Sequence, residues 1–201
     1  HVIGNSTSRK DFDLNLLNGQ VGGARGVQSV GQSYGCNLLY KDFTPTFLVC
    51  TNQKLCNEIA QSNYCEDNIV YTNVKNILAH PQKFHLYPKL FTASVGNLAL
   101  RLACADGHTT VFLVGMTTYI TSDDNLYIGK HELYKDVNIE GANAKLVRDA
   151  CKIFLTYPDV QFYYVAKDPG LMPEAYNWCP NVKELTYMQY VNHAQLGAIA
   201  H

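Results

Sequence analysis

The sequence predicts an α/β fold with a mostly parallel sheet flanked by helices. Short runs rich in β-branched and aromatic residues alternate along the chain with runs whose apolar residues recur at helical spacing. Strands separated by helices enter one sheet in parallel, because each crossover travels back along the sheet face. A third observation is bulk. With 201 residues and 47 % apolar composition, one core can be buried without disulfide or metal staples. Residues 1–201 are therefore read as one domain.

The elements follow in order. Val2-Ile3-Gly4 is a clipped strand that runs into the polar turn Asn5-Ser6-Thr7-Ser8. Asp11 to Leu17 offers Phe12, Leu14, Leu16 and Leu17 to a core and reads as a short helix. Gly19 to Gly35 includes Gly22, Gly23, Gly26 and Gly31 and reads as a loop. A second strand ends in Tyr34-Gly35-Cys36-Asn37, and Thr46–Thr51 is a buried third. Gln53–Gln61 is helical, Asn68–Thr72 is a fourth strand, and Ser94–Ala105 spaces its leucines as a buried helix. Thr110–Val114 is the most apolar strand and is closed by Gly115. Residues 117–140 are polar and too long for a plain connection, which suits a lid. Ala142–Leu155 is a helix, Val160–Ala166 a strand, and Val182–Ala198 a mostly helical tail.

Composition removes several function classes. A charged fraction of 16 % beside so much apolar content excludes a disordered tail or a coiled coil. Sixteen Lys and Arg against 17 Asp and Glu argue against a protein that lives on phosphate contacts. No apolar run reaches the length of a membrane helix, and no secretory leader opens the chain. The seven cysteines are odd in number, lack C-x-x-C spacing and sit partly in apolar runs. They read as reduced structural residues, so a cytoplasmic location is expected.

Chemistry in a parallel sheet gathers at the carboxyl ends of the strands. Here those ends read Gly4-Asn5-Ser6-Thr7-Ser8, Cys36-Asn37, Thr51-Asn52 and Gly115-Met116-Thr117-Thr118-Tyr119. Neutral Asn and Ser groups suit a ribose, a base edge or a phosphate, although each of them also caps helices and builds turns as a matter of routine. Thr92 or Ser94 can cap the helix that follows, where free N–H groups also receive an anion. Phosphate-loop and dinucleotide glycine motifs are absent. Gly31-Gln32-Ser33-Tyr34-Gly35 matches the pattern of a nucleophile elbow but lacks its strand-turn-helix setting. His80 and His85 do not have zinc-ligand spacing. In the lid, His131 suits a general base or, more simply, an exposed solvated histidine; as a base its competitors are His85 and the weaker His108. Asp123-Asp124 suits a divalent cation or, more simply, a turn. Lys89 and Lys130 suit a leaving phosphate or plain solvent exposure.

This ordered set resembles the bacterial sialyltransferases that decorate lipooligosaccharide. Their first strand runs into G-N-G-P-S, where this chain has Gly4-Asn5-Ser6-Thr7-Ser8. Their second strand ends in Cys-Asn, as Cys36-Asn37 does here, and a third ends in Asn, like Asn52. A Thr-Ser-Gly opening a helix corresponds to Thr92-Ala93-Ser94, G-I-D-x-Y to Gly115–Tyr119, and Y-I-G-H to Tyr127–His131. The chain departs from that pattern at Ser6, at Thr117 and in the extra Lys130. The resemblance implies a Rossmann-like domain that moves a sugar from a nucleotide sugar to an acceptor hydroxyl without a metal or other cofactor. It places the nucleotide on Gly4, Asn5, Ser6, Ser8, Asn37, Asn52, Thr92 and Ser94. Tyr119 and Tyr127 would grip the departing phosphate, and His131 would act as base.

The chain is also similar to tailed-phage proteins reading G-N-G-x-S-R-K and Y-G-C-N-x-x-Y-R-D, matched by Gly4–Lys10 and Tyr34–Asp42. That neighbourhood implies a protein at work in the host cytoplasm on DNA modification, with a hydroxymethylated base as acceptor. Two alternatives stand beside it. One is a Mg²⁺-dependent, pterin diphosphokinase-like transferase resting on Asp123-Asp124, and the other is a nucleotide-binding module without catalysis.

Overall fold

Val2 and Ile3 form β1 (Val2–Ile3), and both are fully buried although they point to opposite faces. Only a sheet covered on both sides permits that. The computed structural model describes residues 1–18, 31–88, 94–116, 124–127, 130–132 and 142–199. The other strands are β2 (Tyr34–Cys36), β3 (Phe47–Val49), β4 (Ile69–Thr72), β5 (His85–Leu86), β6 (Thr110–Val114), β7 (Gln161–Ala166) and β8 (Val182–Thr186). All pair in parallel in the order β5-β4-β3-β2-β1-β6-β7-β8. The helices are α1 (Gln53–Gln61), α2 (Tyr64–Asp67), α3 (Val74–Ala79), α4 (Val95–Ala105), α5 (Ala142–Thr156) and α6 (Tyr187–Ile199). This is an α/β sandwich of Rossmann-like topology, as the alternation of runs predicts.

The period of two along the strands divides the core. On one face Val2, Tyr34, Leu113 and Phe162 pack with Leu98 and Leu102 of α4 and Phe154 of α5. On the other, Leu48 and Val70 meet Leu55 and Ile59 of α1, while Ile3, Val114 and Val165 meet Tyr190 of α6. Successive strands march outward from β1 to β5, and the chain then returns to lay β6 against the opposite side of β1. The strand order therefore reverses between β1 and β6, where doubly wound sheets open a crevice at their carboxyl ends.

Some elements differ from the sequence expectation. The tail expected to be helical from Val182 opens with β8, and its helix starts only at Tyr187. Thr186 accepts from the Gln189 backbone N–H at 3.2 Å, and its own N–H donates to Gln189 Oε1 at 2.8 Å. That reciprocal cap ends the strand with no glycine or proline to mark the boundary. The helix expected over Asp11–Leu17 is replaced by a 3-10 turn, Leu14–Asn18, and another 3-10 turn, Thr7–Arg9, precedes it. Asp13 Oδ1 accepts from the Asn15 backbone N–H at 2.9 Å, and this local bond competes with a continuous helix. The two-residue β5 and the six-residue α3, which Asn73 caps, carry too few residues to show a period. The lid expected over 117–140 is described only at 124–127 and 130–132. Among the described residues no helix is long and apolar enough to cross a membrane.

Candidate functional site

At the strand-order reversal the carboxyl ends of β1 and β6 are joined by hydrogen bonds. Gly4 N–H donates to Val114 O at 2.9 Å, and Ser6 N–H to Gly115 O at 3.1 Å. A Cβ on Gly4 would lie 2.2 Å from Gly115 O, so only glycine fits there. Asn5 Nδ2 donates to Cys36 O at 3.0 Å and ties this turn to the end of β2. The next residue, Asn37, has φ +50°, a left-handed conformation that Asn tolerates better than most residues. Such local strain gathers at functional sites.

The first turn of α4 lies beside these strand ends. Ser94 caps it by accepting from the Asn97 N–H at 3.2 Å. A Cβ on Gly96 would stand 3.3 Å from Met116 Cε and 4.0 Å from Cys36 Sγ, so the helix start lies against the ends of both β2 and β6. Its positive end faces this space and favours an anion. Burial pushes the Cys36 thiol up to about 12, so it remains neutral there.

A buried arginine stands beside the ends of β1 and β6. Arg9 is 5 % exposed. Its stem lies against Gly115, whose φ of +64° and missing side chain make the room. Arg9 Nε donates to Gly4 O at 2.7 Å, and Arg9 Nη2 to the Tyr127 hydroxyl at 3.1 Å, with Asp42 Oδ2 3.6 Å away. The Tyr127 hydroxyl in turn donates to Asp42. Burial, then the Asp42 carboxylate, push the Tyr127 phenol well up, so it stays protonated. Arg9→Met keeps the stem packing but strips this network of its cation. It should lower stability by about 2–3 kcal/mol in denaturant unfolding; a loss too small to measure would mean the network is idle.

Ser6 and Ser8 are engaged locally. Ser6 Oγ accepts from Ser8 N–H at 3.0 Å and donates to Asp124 Oδ1 at 3.0 Å, which also accepts from Thr7 Oγ1 at 2.8 Å. Ser6 bridges to Asn125, and Leu126 N–H donates to Asn5 O at 2.9 Å. Residues 124–127 are thereby stitched across the mouth of β1. Asn52 lies at the start of α1, two strands from the reversal, and caps it by accepting from Leu55 N–H at 3.1 Å.

His131 lies beyond this stitch, against α1. Its Nε2 is 2.8 Å from Glu58 Oε2. Glu58 also accepts from the Tyr40 hydroxyl at 2.7 Å and pairs with Lys41 Nζ at 2.5 Å. Desolvation by itself would raise the Glu58 carboxyl, but the bonds from Lys41, His131 and Tyr40 outweigh it and hold it at about 2, below the ordinary 4.5. A depressed carboxyl contributes stability that is complete above its unfolded value and lost as pH falls through its folded one. The stability gap between the native chain and Glu58→Gln should therefore shrink between pH 4.5 and 2 in acid-series unfolding. A constant gap across that window would contradict the pairing.

The structure thus brings Gly4, Asn5, Ser6, Asn37 and Ser94 together at the reversal and sets Asn52, Tyr127 and His131 around its β2–β3 flank, whereas Ser8 turns the other way, its carbonyl accepting from the Tyr187 hydroxyl at the start of α6. Thr92, Tyr119, Asp123 and Lys89 lie outside the described residues. The competing bases sit elsewhere. His108 meets the Tyr34 hydroxyl at 2.9 Å at the amino end of the sheet, and His85 is in the outermost strand β5. Ser33 of the G-x-S-x-G match precedes β2 and accepts from Thr46 N–H at 2.9 Å, so it stands at no strand-to-helix elbow. The seven cysteines are free thiols. Among the described residues no three His, Cys, Asp or Glu side chains are grouped to hold a metal ion. Arg9, Asp42 and Glu58 are additions to the residues the sequence suggests. The chain matches no family model, no curated protein and no solved structure.

Proposed function

We propose that the chain is a transferase that binds a nucleotide sugar in the crevice between β1 and β6 and passes the sugar to an acceptor hydroxyl. One observation supports this above the others: the strand-order reversal coincides with the start of α4 and with the strained Asn37. In this reading Asn5, Asn37 and Ser94 take the nucleotide, and Tyr119 supports the departing phosphate. The acceptor hydroxyl gives its proton to His131 as its oxygen bonds the anomeric carbon. The bond from that carbon to the nucleotide phosphate oxygen breaks in the same event. Tyr127 holds the lid through Asp42 and Arg9, and the chemistry calls for no metal ion. A hydroxymethylated base of phage DNA is the acceptor we favour.

One observation favours a second reading, a nucleotide-binding module without transfer. Glu58 stands six residues past the Asn52 cap, about 9 Å along α1 at 1.5 Å per residue, and it holds His131 back there. A thermal-shift screen of nucleotides and nucleotide sugars tests the binding common to both. At about 100 times its Kd, a ligand should add roughly 2.7 kcal/mol, and Asn37→Ala should weaken its binding by about 1–3 kcal/mol. No shift with any of them would end both readings, whereas binding without turnover would leave the second.

A further inference from the structure

We propose that Glu58 is the positioning residue of His131, fixing the imidazole with its proton on Nε2 and its proton-accepting lone pair on Nδ1. The inference rests on the transfer reading and goes beyond it by naming the group that prepares the base.

The argument begins with the carboxylate. Glu58 lies in α1, and α1 is fixed to the sheet by Leu55, Cys56 and Ile59, all fully buried. Two donors beside His131 set its orientation: the Tyr40 hydroxyl at 2.7 Å and Lys41 Nζ at 2.5 Å. Both come from the 3-10 turn Asn37–Lys41, which follows β2 directly. Tyr40 is itself braced by the ring of Tyr64, with centroids 5.0 Å apart. The carboxylate is thus aimed by groups that belong to the scaffold.

An ionised carboxylate only accepts hydrogen bonds. The nitrogen facing Glu58 at 2.8 Å must therefore carry a proton, and in the neutral imidazole the lone pair is left on Nδ1. A base needs that selection, because the wrong tautomer offers an N–H where the acceptor hydroxyl needs a lone pair. The neighbouring pair Lys54–Glu132, at 3.8 Å, adds a second tie between α1 and the residue after His131. Lys54 and Glu132 are largely exposed, so this tie is weak beside the 2.8 Å contact to Glu58.

Imidazole ¹⁵N spectra of the full chain test this without any assay of turnover. The native chain should show a protonated Nε2 and an unprotonated Nδ1 for His131. Glu58→Gln should give a mixture of tautomers, since an amide offers both a donor and an acceptor. Lys41→Ala and Tyr40→Phe, which spare the carboxylate, should keep the native tautomer, and these controls separate positioning from general loosening of the turn. In a transfer assay Glu58→Gln should lower kcat about 10–100-fold with KM for the nucleotide sugar unchanged. A native tautomer in Glu58→Gln, or a rise in kcat, would overturn the proposal; the second outcome would mean that Glu58 merely parks the lid. Native-type spectra together with no turnover on any donor would instead remove the transfer reading and leave the tautomer assignment standing.

Discussion

Gly4→Ala should cost about 3 kcal/mol or more, the upper end of overpacking effects. For a chain of this size that is roughly 6–12 °C in Tm. The new methyl would meet Gly115 O at 2.2 Å and Gly115 carbonyl carbon at 2.8 Å, and both are backbone atoms that cannot swing aside. Nor can β1 retreat, since it is hydrogen-bonded to β2 on one side and β6 on the other. Gly107→Ala is the matched control. Gly107 has φ +88° and no atom within 4 Å of the place its Cβ would take, so only the left-handed backbone cost of about 1–2 kcal/mol applies. Calorimetry on the two variants decides the matter: equal losses would mean that the β1–β6 approach is looser than it stands here.

His131→Ala should lower transfer by about 10²–10⁴, the usual loss for a positioned base, while a nucleotide still raises Tm as it does in the native chain. The fold should tolerate the change. Glu58 keeps Tyr40 and Lys41 as partners, and His131 is partly exposed. Steady-state turnover measured beside a thermal-shift titration separates the two effects. Unchanged turnover would remove His131 from the chemistry, and loss of binding would place it at the nucleotide instead.

The sheet was legible because burial on two faces leaves uninterrupted apolar runs, as in Thr110–Val114, and because helices such as Ser94–Ala105 carry their own period. The carboxyl-end Asn and Ser residues were legible for the same reason, since finding the strands finds their ends. The boundary at Thr186 was written in the sequence as Thr186-Tyr187-Met188-Gln189, a capping signature masked by the apolar residues on either side. Arg9 was not legible. Arginine ordinarily stays in water, and what keeps this one inside is Tyr127, 118 residues away, together with Asp42. Glu58 and His131 are separated by 73 residues and share no local pattern. Periodicity reports what a residue does for its own element, whereas these pairs exist only after the elements have assembled.

The central place of β1 carries a consequence for biosynthesis. Val2 pairs with Leu113, so one flank of the innermost strand waits for more than a hundred further residues to leave the ribosome. At about 5–20 residues per second that wait lasts roughly 5–20 s. Throughout it, Val2 and Ile3 present unpaired backbone and apolar side chains that the finished molecule hides completely. A nascent chain halted before Thr110 should therefore bind hydrophobic-surface chaperones, and one extended past Val114 should be released from them.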